Sequence, residues 1–200
     1  MSENTLSSLK VQERDARRKL ILDAARELFA QKNFRNVTVR EIAKTAGVSI
    51  GSIYYYYESL GELFLDVFLK STESIIEWLD EELENPEPSL KRLCCRYIDF
   101  LTENLTFYQM MSNFMLGGEM SAEGTEKLNA LMREFMDRLE TALAISSGAE
   151  ENSRIMAHAL FSALNGIMLS YSRYPGRDKQ EILRHTRRLA ALIAEKFESA

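Results

Sequence analysis

Apolar residues recur at helical spacing along most of the chain, and the runs stop at a few polar or glycine–proline interruptions. From Arg14 to Gln31 the positions Leu20, Ile21, Ala24, Ala25, Leu28 and Phe29 form one stripe, the pattern of a helix with a core-facing side. The segment from Asn33 to Val37 breaks it, and Thr38 suits the N-cap of a short helix reaching Thr45. Gly47 ends that helix, Ser49 can cap another, and the run Tyr54–Tyr57 completes it. Ser59 then caps a long helix, Leu60 to about Leu83. The NPEP stretch, Asn85–Pro88, reads as a linker, and Ser89 restarts a helix to about Asn104. Thr106 opens a segment that stops at Gly117-Gly118, and helical pattern resumes from about Gly124 to Ile145. Two more helices are expected, Asn152–Tyr174 and, after the Pro175-Gly176 turn, one capped by Asp178 and reaching about Phe197. The pattern predicts an all-α fold of about nine helices and no strand.

Composition narrows the class. Two hundred residues with 46% hydrophobic content suit one medium domain, or a small domain joined to a larger one. A charged fraction of 28% and only three prolines describe an ordered chain. No apolar run approaches the roughly 18 residues a membrane-spanning helix needs, and the polar start MSENTLSSLKVQERD lacks a signal-peptide core. A cytoplasmic protein without a membrane partner is expected. Cys94 and Cys95 are adjacent, which suits neither a mutual bridge nor a zinc site, so reduced thiols are expected and no metal or other cofactor.

Net charge is −5, but it is unevenly spread. Residues 1–60 carry ten Lys/Arg against seven Asp/Glu, whereas the remaining 140 carry fifteen against twenty-three. A small basic module therefore precedes an acidic body.

Within that module Thr38 to Tyr57 has the grammar of a helix-turn-helix: a short helix, a tight glycine turn at AGVS, and a second helix opening on small residues. Four consecutive tyrosines point around a whole helix axis, so they cannot all be core. Val48, Ile53 and Tyr57 lie near one face and can pack on Ile42 and Ala43. Ser49, Ser52 and Tyr55 or Tyr56 fall on another. Short hydroxyls and an aromatic ring fit base edges and thymine methyls in a major groove, and tyrosine hydroxyls can donate to phosphates. Arg14, Arg17, Arg18 and Lys19 offer further phosphate or minor-groove contacts, or else a solvated helix face.

These residues carry a family resemblance. TVREIAKTAGVSIGSIYYYYESLGELF resembles the DNA-binding signature of TetR/AcrR-type regulators, and RRKLILDAARELFAQKNF resembles that family's first helix. The likeness covers about Arg17 to Phe64. It implies an N-terminal three-helix DNA-binding domain over residues 1–58, its first twelve a flexible tail, and a larger helical ligand-binding and dimerisation domain over 59–200. By position it puts Thr38 at a phosphate and Arg40 near a base or phosphate. Ser49, Ile50, Gly51, Ser52 and Tyr55 would face the groove, with Tyr54 and Tyr56 at the phosphates. The sequence departs from the family at Ile50 and Leu60, both places where lysine is common.

The helix expected over Asn152–Tyr174 has two faces. Ile155, Ala159, Ser162, Ala163, Gly166 and Ser170 make a small one; Met156, Leu160, Leu164, Ile167 and Tyr171 make a larger apolar one. The last helix adds Ile182, His185, Leu189, Leu192 and Ile193. Two such terminal helices can pair with a symmetry mate as a four-helix bundle, so Ala159, Ala163, Gly166, Ser170, Leu189 and Ile193 are expected at a homodimer interface. The middle of the chain is rich in soft and aromatic residues. Trp78, Tyr97, Phe100, Phe107, Met110, Met111, Phe114, Met115, Phe135 and Met136, with Met168 further on, suit either ordinary core or a pocket for an apolar or aromatic effector. The resemblance favours the pocket, with Asn165 as one polar contact and Gln109, Asn113 and His158 as others.

The function expected is a ligand-responsive DNA-binding transcriptional repressor, a homodimer on a palindromic double-stranded operator, released by a small-molecule effector. A regulator-fold protein acting through a protein partner without direct DNA binding is the alternative, raised by Ile50 and Leu60. An enzyme is not expected, since no HExxH, P-loop, GxSxG or Cys/His cluster occurs.

Overall fold

The computed structural model describes residues 2–116, 120–148 and 153–199, with side chains from residue 8 onward except that of Phe34. Among them are nine α-helices, one 3-10 turn and no strand. In chain order the helices are α1 Ser2–Gln31, α2 Val39–Ala46, α3 Ile50–Tyr56, α4 Leu60–Leu83 and α5 Leu90–Glu103. Then follow α6 Leu105–Met115, α7 Ala122–Ser147, α8 Ser153–Tyr171 and α9 Lys179–Glu198, with the 3-10 turn at Phe34–Asn36. The expected stop at Gly117-Gly118 and the expected helix start at Asn152 lie outside the described residues.

The helix ends are where the capping residues put them. Ser59, Ser89 and Asp178 each accept a bond from the backbone N–H three residues on. Two ends differ from the sequence reading. Residues expected as a flexible tail, 1–12, are helical from Ser2 onward, because the segment holds no glycine or proline to stop a helix already running into it. At the other end α8 stops at Tyr171 and not Tyr174. Tyr174 turns back instead and stacks on Tyr171, with ring centroids 5.7 Å apart.

The chain forms two compact units, Met1–Lys70 with Gln109–Thr125, and Ser71–Tyr108 with Glu126–Ala200. The first unit thus runs past residue 58, since Leu63, Phe64, Leu65 and Val67 at the start of α4 are buried. In that unit Ile21, Ala24, Ala25 and Phe29 of α1, Ile42 and Ala43 of α2, and Ile53 of α3 form the core, and Phe29 meets the edge of Phe64 at 4.9 Å. Each such large side chain stabilises the fold by roughly 1.5–3 kcal/mol when fully buried. Leu20 departs from the expected stripe and is 52% exposed. One helical residue from Ile21 is a rotation of about 100°, enough to carry a side chain off the core face. Gly124 sits inside α7, where a Cβ would come within 2.9 Å of a Leu65 methyl, so the glycine permits a close approach.

In the second unit α5, α8 and α9 pack together. Leu93, Cys94, Tyr97, Ile98 and Leu101 of α5 and Leu160, Leu164 and Met168 of α8 are buried; α9 contributes the small residues Thr186, Ala190 and Ala194. Small side chains at that spacing let α9 approach closely. The linker Asn85–Pro88 is pinned: the buried Glu82 carboxylate accepts from Arg92 at 2.7 and 2.6 Å and from the Ser89 N–H at 2.9 Å. Cys94 and Cys95 are both free, and burial pushes the Cys94 thiol up to about 12. Among the described residues no helix is long and apolar enough to cross a membrane, and no three metal-binding side chains cluster.

Candidate nucleic-acid interface

The interface begins with the start of α2. Thr38 lies in an extended conformation and its hydroxyl accepts the Glu41 N–H at 3.3 Å, while the Glu41 carboxylate accepts the Thr38 N–H at 3.0 Å and hydroxyl at 2.9 Å. Lys32 reaches the same carboxylate at 2.6 Å. The bonds from Lys32 and Thr38 hold Glu41 at about 2, well below an ordinary glutamate. Thr38 is exposed as expected, but both its donors are occupied by Glu41, so a phosphate there would have to displace a carboxylate. Arg40 is exposed on α2.

The turn that follows needs glycine. Gly47 has φ +67°, the left-handed region, and its N–H and that of Val48 close the end of α2 on the carbonyls of Lys44 and Ala43. Ser49 restarts the chain by accepting the Ser52 N–H at 3.0 Å, which leaves its own hydroxyl proton free to donate outward.

Along α3 the residues divide by direction. Ile53 is buried, whereas Ile50, Tyr54 and Tyr55 are 41%, 54% and 74% exposed. Gly51 is exposed and a Cβ there would meet only Ser49 Oγ at 3.8 Å, so nothing inside the protomer demands glycine at that position. Ser52 is half-buried, as is Tyr56, whose ring packs against Tyr55 edge to face at 5.1 Å. The face composed of Ile50, Gly51, Ser52, Tyr54 and Tyr55 is therefore an open shelf of one aliphatic side chain, a gap and three hydroxyls.

Tyr57 leaves the helix in an extended conformation and is buried, as expected. Its environment is not purely apolar. The hydroxyl donates to Asp66 Oδ2 at 2.6 Å and accepts from Arg18 Nε at 3.3 Å, while Arg18 Nη2 pairs with the same aspartate oxygen at 2.7 Å. Burial and the Asp66 bond push the tyrosine pKa well above the ordinary phenol, so it stays a donor at any working pH. Arg18, a candidate for a phosphate contact, is instead spent on fixing the junction of α1, α3 and α4. The i+39 and i+48 separations left no local signal for that triad.

The expected effector contacts divide between the units. Trp78, Tyr97, Phe100, Phe107, Asn165 and Met168 belong to the second; Met110, Met111 and Phe114 belong to the first, where Phe114 packs on Phe68 at 5.4 Å. In the second unit Tyr97, Phe135 and Phe161 form a ring cluster with centroids 5.5–6.4 Å apart. Asn165 donates to the Tyr97 hydroxyl at 3.4 Å and the Phe161 carbonyl at 2.8 Å, and its own carbonyl receives the Tyr108 hydroxyl at 3.2 Å. Its side-chain oxygen Oδ1 is buried without a donor. Phe161 and Tyr108 went unnoticed in the sequence, although Phe161 stands one helical turn before Asn165. Trp78 is roofed by the Arg96 guanidinium 5.2 Å from its ring. Of the other polar candidates, Asn113 accepts from Arg35 at 2.5 Å, and His158 points outward, exposed, from α8.

The small face of α8 is outward too. Ile155 is 69% and Leu169 79% exposed, Ala159, Gly166 and Ser170 are exposed, and Ala163 is half-buried. A Cβ on Gly166 would meet nothing within 4 Å. On α9 Leu192 is exposed and Leu189 and Ile193 are half-buried.

This is the architecture of an all-helical protein that presents a helix-turn-helix at its N-terminal end. Residues 21–67 match the profile of the family described as bacterial regulatory proteins, tetR family. The uncharacterized HTH-type transcriptional regulator YhgD of Bacillus subtilis (strain 168) is 25% identical over 174 residues, covering 83% of this chain and 90% of that protein. The uncharacterized HTH-type transcriptional regulator YfiR of the same organism is 30% identical over 92 residues, 46% of this chain and 44% of its own length. This chain therefore matches less than half of that relative. The crystal structure of FadR from Bacillus subtilis in complex with stearoyl-CoA superposes with a TM-score of 0.67 at 19% identity, over 88% of this chain and 97% of that one, a likeness of fold. Residues 21–67 thus carry the N-terminal region of the tetR family of bacterial regulatory proteins, on a chain that shares the fold of FadR.

Proposed function

We propose that this protein is a DNA-binding transcriptional regulator, a repressor that binds a palindromic operator as a homodimer and lets go when an apolar effector binds. The observation that carries the reading is the open shelf on α3, where Ile50, Tyr54 and Tyr55 stand exposed beside Gly51 while Ile53 is buried. An exposed face of hydroxyls and one aliphatic side chain, on a helix stopped and started by defined caps, suits base edges, thymine methyls and phosphates. Ser49, Ile50, Gly51, Ser52 and Tyr55 would read the groove and Tyr54 and Tyr56 the flanking phosphates, with Arg40 beside them. Thr38 acts here chiefly as a cap.

A twofold pairing is supported by an apolar and small face that the protomer leaves exposed at Ala159, Gly166 and Ser170 and half-covered at Ala163, Leu189 and Ile193. Two recognition helices about one DNA turn apart would then read a near-palindrome. For the effector, the buried Tyr97 and Phe135 with the half-buried Phe161, beside the unpaired Asn165 Oδ1, suit an aromatic or aliphatic body carrying one hydrogen-bond donor. Linkage then requires that operator binding weaken effector binding by the same factor. The test is an electrophoretic mobility shift against fragments of the source genome at moderate salt. A specific shift that is competed by its own fragment and not by mixed-sequence DNA is expected. No shift at any fragment would favour action through a protein partner and sink the proposal.

A further inference from the structure

The helix α1 begins at Ser2, nineteen residues before the stretch that matches the family profile. Every residue from 8 to 20 is exposed, so this extension is not held by burial in the protomer. It nevertheless forms one wall of a groove of about 560 Å³ whose other wall is the recognition surface: Lys10, Val11, Glu13, Arg14 and Arg17 on one side, Ser52, Tyr55 and Tyr56 on the other. Lys10, Arg14 and Arg17 are spaced four and three apart, which stacks them on one face of the helix. Glu13, the groove's carboxylate, is engaged by Arg17 at 2.7 Å. Lys10 and Arg14 have no acidic partner among the described residues. The groove thus has two unneutralised cations on one wall and three hydroxyls on the other.

Resting on the reading of α3 as a DNA-recognition helix, we infer that this groove seats the sugar–phosphate backbone of the strand flanking the bases α3 reads. Lys10 and Arg14 contact its phosphates from the α1 side, and the Tyr56 hydroxyl approaches from the other, while Tyr55 at the groove's edge turns to the bases. Charge selects the occupant: two cations aligned along a helix match a row of phosphates, and Val11 between them offers an apolar surface to the sugars. The contact is blind to sequence, because phosphates carry no base identity. It also supplies the positive charge that Ile50 and Leu60 withhold from the recognition module.

The experiment measures the salt dependence of binding for the full chain and for Lys10→Ala/Arg14→Ala, on a selected genomic fragment and on a mixed-sequence duplex. Each lost phosphate contact should lower the log–log slope by about 0.9, so the double variant should lose about 1.8 per protomer. Across a fourfold rise in salt that changes the ratio of wild-type to variant affinity by roughly twelvefold for each protomer engaged, or about 150-fold for a dimer on its operator. The preference for the selected fragment over the mixed duplex should not change. Arg14→Lys keeps the cation and should keep the slope, and helix content by circular dichroism guards against loss of fold. A double variant with the wild-type slope, or one that binds more tightly because the extension blocks the groove, overturns the assignment while leaving the DNA-binding reading intact. A wild-type chain with no affinity for duplex DNA overturns both.

Discussion

Replacing Tyr57 by phenylalanine removes one hydroxyl and keeps the ring, so it isolates the polar tie at the end of the recognition helix. The ring is 5% exposed, and no cavity is opened by the change. What is lost is a 2.6 Å bond to the Asp66 carboxylate and a 3.3 Å bond from Arg18. A hydrogen bond to a charged group contributes about 1.5–3 kcal/mol. Here Asp66 retains Arg18 at 2.7 and 3.1 Å, and the Arg18 and Asp66 side chains are 52% and 23% exposed, so water can take up the vacated acceptor. The discounted figure is about 1–1.5 kcal/mol. For a chain of this size that lowers the melting temperature by about 2–6 °C, which calorimetry or a circular-dichroism melt resolves. Asp66→Ala should cost more, because it strands a buried hydroxyl and the arginine together. The double-mutant cycle of the two positions should return a coupling of about 1 kcal/mol. A Tyr57→Phe protein that melts with the wild type, or a cycle with no coupling, would show that the triad contributes nothing to the fold.

Three further outcomes follow from the geometry. Glu41 has a folded pKa of about 2 against an ordinary value of 4.5, so its stabilisation is complete above 4.5 and is lost as pH falls toward 2. Glu41→Gln should flatten that part of the melting-temperature profile, and parallel wild-type and variant profiles would refute the capping-box assignment. On DNA, Tyr54→Phe should weaken binding to selected and mixed duplexes alike, by roughly 2- to 12-fold for one neutral hydrogen bond. Tyr55→Ala or Ser52→Ala should instead narrow the ratio between them by about 1–3 kcal/mol; the reverse assignment in mobility shifts would reverse the roles given to the two tyrosines. Finally, Ala159→Arg places a cation on the exposed small face of α8 without disturbing the protomer's core. Sedimentation should then report a monomer where the wild type is a dimer, and equal masses for the two chains would count against that interface.

The helices themselves were legible because their signals are local. A cap three residues before its acceptor, a left-handed glycine and a stripe with a period near 3.6 act within one or two turns, and Thr38, Gly47, Ser49, Ser89 and Asp178 sit where that logic puts them. Errors arose where the pattern had no terminator or no contrast. Nothing in residues 2–13 stops a helix, so polarity alone was a poor guide to a tail. Leu20 and Ile21 are equally apolar, and only the packing of α1 against its neighbours in the same unit decides which of the two is buried.

The candidate site was legible to the same depth and no further. Periodicity assigned Ile53 and Tyr57 inward and Tyr55 or Tyr56 outward, and the family resemblance placed Tyr54 outward; Ile53 and Tyr57 are buried, Tyr54 and Tyr55 exposed and Tyr56 half-buried. It could not say which of four adjacent basic residues keeps its charge available. Arg14, Arg17, Arg18 and Lys19 look alike in sequence, yet Arg18 is consumed by Tyr57 and Asp66, 39 and 48 positions away, and Arg17 is tied to Glu13. Lys10 attracts no notice at all until a helix carries it alongside Ser52 and Tyr55. A cation's value for binding phosphate lies in being unneutralised and correctly aimed, and both conditions depend on long-range packing. The hydroxyls of the tyrosine run obey the same rule: one of the four is already committed to an internal carboxylate, and only those without such a partner remain for DNA.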